Sequence, residues 1–279
     1  MESKKRAVGA VFAALGKAVC YLFLFLLSQV IVTLGYTLTA TIYAFVNPEL
    51  NIDPAELALA CTDQISLISG LLTLLILVVF FLLRRKNPLK EVDFRKTPAR
   101  CVCAALSVTP FLYAAVIFIL SLLPESWMES YAEASSMLTQ TGPIMAIATV
   151  VVAPIVEETI FRGLILSRLR KVMPGWLSVV ISALLFGVCH GQIVWICYAF
   201  VLGLIFGIMA QRSGSVWPSL LAHILFNAIG HFSSYVPETD AAYWIFLGSL
   251  ALVSFIAMPI FHRGMTTLFF SKRQKGDLV

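Results

Sequence analysis

An all-α, polytopic membrane bundle of about eight transmembrane helices, with both termini cytoplasmic, is the fold class this sequence predicts. Three observations lead there. The chain is 59% apolar and only 13% charged, with a mean hydropathy of +0.91, whereas soluble domains average roughly 25% charged residues. Its apolar residues gather into eight windows of near-spanning length. The loops between those windows then alternate in charge, basic on one side and acidic on the other.

The windows run approximately Val19–Phe45, Ile65–Leu83, Cys101–Leu123, Ile144–Leu166, Trp176–His190, Ile193–Ala210, Val216–Gly230 and Ala242–Phe261. The first begins with basic residues, but its apolar run outlasts a signal peptide, so it reads as a retained span, tilted or partly interfacial around Lys17. With the N-terminus inside, 19 of the 20 Lys and Arg fall on the cytoplasmic side. They include Lys4, Lys5, Arg6 and Lys17, seven between Arg84 and Arg100, then Arg168, Arg170, Lys171, Arg212 and the tail. The opposite loops hold only acids, among them Glu49, Asp53, Glu125, Glu129, Glu133, Glu238 and Asp240. A wrong span count would scramble this pattern. The net charge of +5 therefore reflects topology and contact with anionic lipid at the cytoplasmic face, not nucleic-acid binding. Trp176 to Gln211 carries no formal charge and is short for two crossings. It reads as a pair of short helices whose outer turn, bearing His190, is sunk into the membrane. Six cysteines lack metal-finger spacing and read as small buried hydrophobes. No repeat or composition break divides the chain, so residues 1–279 form one integral membrane domain.

The fourth window is unlike the others. Pro154-Ile155-Val156-Glu157-Glu158-Thr159-Ile160-Phe161-Arg162 puts three charges at hydrocarbon depth, which uncompensated would cost about 8–10 kcal/mol. Glu158 and Arg162 are four apart and share a helix face, so they can pair. Glu157 is rotated about 100° away and has no partner on its own helix. An unpaired intramembrane carboxylate points to a functional site, against the alternative of a three-charge packing cluster.

Two other windows offer polar faces. Phe186 and His190 lie four apart, as do His223 and Asn227, with His231 four further on. A single intramembrane histidine is as readily a satisfied core hydrogen-bonder. Three helices each presenting polar groups must direct them at one another, so Glu157, His190, His223 and Asn227 are expected to converge. His231 reads as an outer-interface residue and His262 as a membrane boundary.

These three patterns, Glu157-Glu158-x-x-x-Arg162, Phe186-x-x-x-His190 and His223-x-x-x-Asn227, resemble the motifs of the CPBP family. That family comprises CAAX prenyl endopeptidases, bacteriocin-processing or self-immunity proteins and related Abi-type membrane proteins. The resemblance covers about Ile144 to Gly230, making 144–230 the catalytic core region. It implies intramembrane peptide hydrolysis with Glu157 as general base and the six positions Glu157, Glu158, Arg162, His190, His223 and Asn227 as the site. His190 could position the water, and His223 and Asn227 could donate to the developing oxyanion. The Glu158–Arg162 pair would keep Arg162 from neutralising Glu157.

The favoured mechanism uses no cofactor. The sequence also permits a metal-dependent one, with zinc held by Glu157, His190 and His223, though it lacks a His-Glu-x-x-His pair. A serine protease would need a nucleophile at bundle depth, and Ser213 and Ser215 sit in a turn. An aspartyl type would need two intramembrane aspartates, and no window holds one. Two other classes compete with the enzyme. One is a non-catalytic immunity or scaffold protein that sequesters a peptide. The other is a small proton-coupled transporter, for which no internal repeat is found. The expected partner is a peptide or membrane-protein substrate, including a C-terminal lipidated segment, in a bacterial cytoplasmic membrane. Counting about 1.5 Å per residue puts Glu157 roughly 14 Å and His223 roughly 12 Å from the cytoplasmic end, but His190 near 22 Å. The cavity is expected to open toward the cytoplasm.

Overall fold

The computed structural model describes residues 2–136, 142–237 and 239–270. Helices occupy all eight predicted windows: α1 (Glu2–Val46), α2 (Thr62–Leu83), α3 (Ala99–Leu120), then after a surface helix α4 (Glu125–Ser136) come α5 (Pro143–Leu169), α6 (Gly175–Val188), α7 (Ile193–Ser213), α8 (Trp217–Ser233) and α9 (Asp240–Ile260). Six of them, α1, α2, α3, α5, α7 and α9, are long and apolar enough to cross a membrane. With 14 and 17 residues, α6 and α8 rise only about 21 and 26 Å, short of a core roughly 30 Å thick. The expectation of eight spans thus resolves into eight helices, of which six have spanning length among the described residues. Only α6 of the expected short pair is short; α7 runs in full to Ser213 before Gly214, at φ 68°, ends it.

Polar caps set several boundaries where the apolar pattern alone could not. Gln192 accepts from the Trp195 amide to start α7, and Thr239 accepts from Ala242 to start α9. Inside α3, Pro110 interrupts the ladder, and the Phe111 amide donates to Ser254 Oγ at 2.9 Å. That bond ties α9 to α3 through a fully buried serine. The cysteine expectation needs correction: Cys101 is buried, but Cys20 and Cys197 lie on exposed faces. Those faces are apolar and outward, as suits a chain whose solvent is lipid. The side chains of Lys4, Lys5 and Arg6, together with Glu238, Lys272, Arg273 and Lys275, fall outside the described residues.

At the basic end, the segment between α2 and α3 folds against the bundle. Arg168 pairs with Glu91 at 2.9 Å and Arg170 with Asp93 at 2.7 Å. The Val216 amide donates to the Asp93 carbonyl, and Ser215 Oγ to that of Arg95. These bonds hold the turns after α5 and α7 together, which fixes the relative height of the helices that carry the polar motifs.

Candidate active site

Helix α5 carries the carboxylates on an altered backbone. It widens into π-helical geometry over Ile147–Val152 and again over Glu158–Leu166, with α-helical Ala153–Glu157 between. Such widening recurs at functional sites. Sequence supplies a cause for the first stretch. Ala153 donates to Ala148 in the wider register, and the next donor in that register is missing because residue 154 is proline. The carbonyl left over is that of Thr149, and Asn227 Nδ2 from α8 donates to it at 2.9 Å.

Glu158 faces inward and is fully buried. Its Oε1 lies 2.8 Å from Arg162 Nη1 and 3.1 Å from His223 Nδ1. The Arg162 contact is close but not aligned as a hydrogen bond, so Nη1 and Glu158 Oε2 keep unmet capacity. Other groups compensate. Arg162 Nη2 donates to the Gly203 carbonyl at 3.3 Å. Its guanidinium centre sits 4.3 Å from the Phe186 ring centroid and 5.6 Å from that of Phe206. An arginine between two aromatic faces retains favourable electrostatics without water. This settles how the buried pair is tolerated: the pair is shielded by rings, not by solvent.

That arrangement depends on close approach of α6 and α7. A Cβ on Gly203 would stand 3.1 Å from the Ala183 Cα, and one on Gly187 only 2.9 Å from the Ile196 carbonyl oxygen. The stripes Val179-Ala183-Gly187 and Ala199-Gly203-Gly207 face each other, a small-residue interface of the kind membrane helices use. Ser182 Oγ then donates to the Phe161 carbonyl, locking α6 to α5.

His223 stands between the two carboxylates. Nδ1 meets Glu158, and Nε2 lies 3.6 Å from Glu157 Oε2. The ring stacks at 30° against Phe206 and meets Phe186 edge-on. Glu158 acts as an acceptor, so Nδ1 carries the hydrogen, and Nε2 of a neutral ring would then face Glu157 lone pair to lone pair. The contact is favourable only with a proton shared between them or a water bridging them. Glu157 itself is 19% exposed, unlike Glu158. His190 Nδ1 lies 2.9 Å from the Phe186 carbonyl. A carbonyl can only accept, so this nitrogen is the donor and Nε2 keeps its lone pair.

Phe186 is the hub of these contacts, touching Arg162, His190 and His223. Both glutamates flank His223, so five of the six expected residues gather there. Asn227 instead braces α5 at Thr149. His231 lines the outer cavity described next, and His262 closes α9 against the Pro259 carbonyl. Phe206, Gly203 and Thr149 were not anticipated. Of these, only Gly203 carries a signal in the sequence, its place in the small-residue stripe.

A cavity of about 550 Å³ adjoins this cluster, lined by Thr149, Tyr198, Asn227, Tyr113, His231 and Tyr243 among others. It lies at the acidic-loop end, beneath α4, whose Tyr131 ring meets that of Trp195. Of the six expected site residues it is lined by Asn227 alone, so it does not bear on the expectation that the cavity at Glu157 opens toward the cytoplasm.

For zinc, Glu157, His223 and His190 are the donors the sequence offers, and the bond from His190 Nδ1 to the Phe186 carbonyl leaves its Nε2 with a free lone pair. Among the described residues no three His, Cys, Asp or Glu come together as a ligand set. As arranged, Glu157, His190 and His223 are not gathered into a three-ligand centre.

Comparison with known proteins agrees with the motifs. Residues 139–229 match the family described as Type II CAAX prenyl endopeptidase Rce1-like. A Bacillus subtilis (strain 168) protein named "Putative membrane peptidase YdiL" is 30% identical over 88 residues, 32% of this chain and 36% of the relative. An Escherichia coli "Uncharacterized 24.3 kDa protein" is 33% identical over 93 residues, 31% of this chain and 43% of the relative. The matched part thus spans less than half the length of either relative. No solved structure gives a significant match. The chain is an integral, multi-pass membrane protein, and over the third of it that carries all six motif positions it resembles the Rce1-like type II CAAX prenyl endopeptidases.

Proposed function

We propose that this protein is an intramembrane endopeptidase in which Glu157 activates the attacking water. The observation that carries the reading is the division of labour between adjacent carboxylates. Glu158 is committed to Arg162 and His223, while Glu157 is partly open and, among the described residues, has His223 Nε2 at 3.6 Å as its one ion-pair contact.

In the proposed reaction the water oxygen bonds to the peptide carbonyl carbon as Glu157 takes one of its protons. The lone pair on His190 Nε2 accepts the water's other hydrogen and aims it. The carbonyl oxygen becomes an oxyanion, which the second N–H of Asn227 can meet; such a donor is worth on the order of 3–4 kcal/mol in other enzymes. The proton shared between Glu157 and His223 then passes to the leaving amine as the C–N bond breaks. Glu158, fixed by Arg162, holds His223 in the tautomer this requires.

The substrate class is a peptide or a membrane-associated segment, including a C-terminal lipidated one as the family's name describes. The cavity at Thr149, Tyr198 and Asn227 supports entry from the acidic-loop end. The charge of the loops and the two bacterial relatives support placement in a bacterial cytoplasmic membrane with both termini inside.

Peptide termini should be compared between cells producing the intact protein and cells producing Glu157→Gln at equal abundance. The reading predicts a set of termini present with the former and missing with the latter. Identical sets would favour the peptide-sequestering alternative.

A further inference from the structure

The cavity of about 550 Å³ at the acidic-loop end has walls that suit one kind of occupant. Tyr113, Tyr131, Tyr198, Tyr243 and Phe226 contribute five aromatic rings, and among the described residues that line it there is no Asp, Glu, Lys or Arg. Tyr113 and Phe226 meet edge to face with centroids 5.3 Å apart. Tyr198 packs against the core that holds Phe161 and Phe186 and also against the one that holds Tyr113 and Phe226. It therefore stands at the junction between the carboxylate cluster and this cavity.

The hydroxyl groups on the wall have already used their protons. Ser121 donates to the Phe118 carbonyl, Ser135 to Ala132, Thr149 to Met145, Ser233 to Gly230 and Ser234 to His231. Tyr113 in turn donates to Ser233 Oγ. Oxygens bound in this way can only accept from an occupant, and the phenols of Tyr131, Tyr198 and Tyr243 can turn a lone pair inward. Aromatic faces and bare acceptors repel an anion, and they suit a cation that carries several N–H donors. An apolar occupant would leave those lone pairs unanswered. The surroundings have the same sign: the loops at this end, residues 47–64, 121–143 and 234–241, hold nine Asp and Glu and no Lys or Arg.

From these we infer that the cavity is a subsite for a basic side chain, Lys or Arg, of a peptide whose backbone passes beside Asn227. The ammonium or guanidinium head sits among the rings of Tyr131, Tyr198 and Tyr243, and the aliphatic stem lies along Ile117 and Leu120. That the cation belongs to a peptide rests on the peptidase reading above; its charge rests on the walls alone. Binding can therefore be measured without turnover.

The test is saturation-transfer NMR of the detergent-purified protein at about 0.15 M salt, where distant surface charges are screened. The probes are the Nα-acetyl methylamides of lysine, norleucine and glutamate, together with butylammonium. The lysine probe should bind roughly tenfold more tightly than the norleucine probe, the scale of a partly desolvated cation–π contact. The glutamate probe should not compete. The double variant Tyr131→Leu, Tyr243→Leu should bind lysine and norleucine equally, whereas Tyr131→Phe, Tyr243→Phe keeps the rings and should keep a preference. A control, Glu125→Gln with Glu129→Gln, removes exposed outer charge and should also keep it. Equal binding of lysine and norleucine by the unaltered protein would overturn the assignment, as would a preference that survives the leucine variant. So would loss of preference in the control, which would mean a diffuse charge effect, or butylammonium binding as tightly as the lysine probe, which would mean a site for free amines. The two readings fail separately: identical peptide termini with Glu157→Gln would leave the probe preference standing, and equal probe binding would leave the termini standing.

Discussion

Glu157 and Glu158 are neighbours on one helix, yet they occupy different media. Glu158 points into a dry pocket walled by Phe186 and Phe206, where every charge has an opposite one beside it. Glu157 is turned away from that pocket, with about a fifth of its side chain exposed and a histidine nitrogen 3.6 Å from Oε2. The first environment makes a rigid pair; the second leaves a carboxylate partly open. A single residue step, about 100° of rotation, thus separates scaffold from chemistry in the proposed reaction, and the two should respond to substitution in opposite ways.

The largest loss of stability belongs to the dry side. Replacing Arg162 with Leu leaves Glu158 buried without its cation and should cost about 3–5 kcal/mol, read as a lowered melting temperature in detergent. Replacing Glu158 with Gln strands Arg162 and should cost a similar amount. Next comes Asn227→Ala, which leaves the Thr149 carbonyl without its donor and should cost about 1–3 kcal/mol. Gly203→Ala forces α6 and α7 apart and should cost about 1–3 kcal/mol by overpacking. It should also weaken the reach of Arg162 to the Gly203 carbonyl, visible as non-additivity with Arg162→Leu. Smallest is Arg170→Ala at the basic end, where a partly exposed pair with Asp93 is lost, for about 1 kcal/mol.

Some of this difference was legible in the sequence. A spacing of four on a helix fixed the Glu158–Arg162 pairing and left Glu157 over. The same spacing put Phe186 with His190 and His223 with Asn227. What helical period cannot convey is rotation of one helix against another. Hence His223 lies between both carboxylates instead of pointing an N–H into open space, and Asn227 spends one N–H on Thr149. The need for that donor traces to Pro154, whose consequence appears only once the backbone register is known. The shortness of α6, by contrast, was written in its composition, while the full length of α7 was masked by the uncharged run they share.

The central claim is that the exposed carboxylate works and the buried one holds. It is tested most directly by purifying Glu157→Gln and Glu158→Gln in the same micelles and measuring both melting temperature and cleavage of a peptide identified from the termini comparison. The account predicts that Glu157→Gln melts within a degree or two of the unaltered protein and cleaves nothing, whereas Glu158→Gln melts many degrees lower, by roughly 2–4 °C per kcal/mol lost. Cleavage that persists in Glu157→Gln would contradict it, as would a melting temperature lowered as far as that of Glu158→Gln.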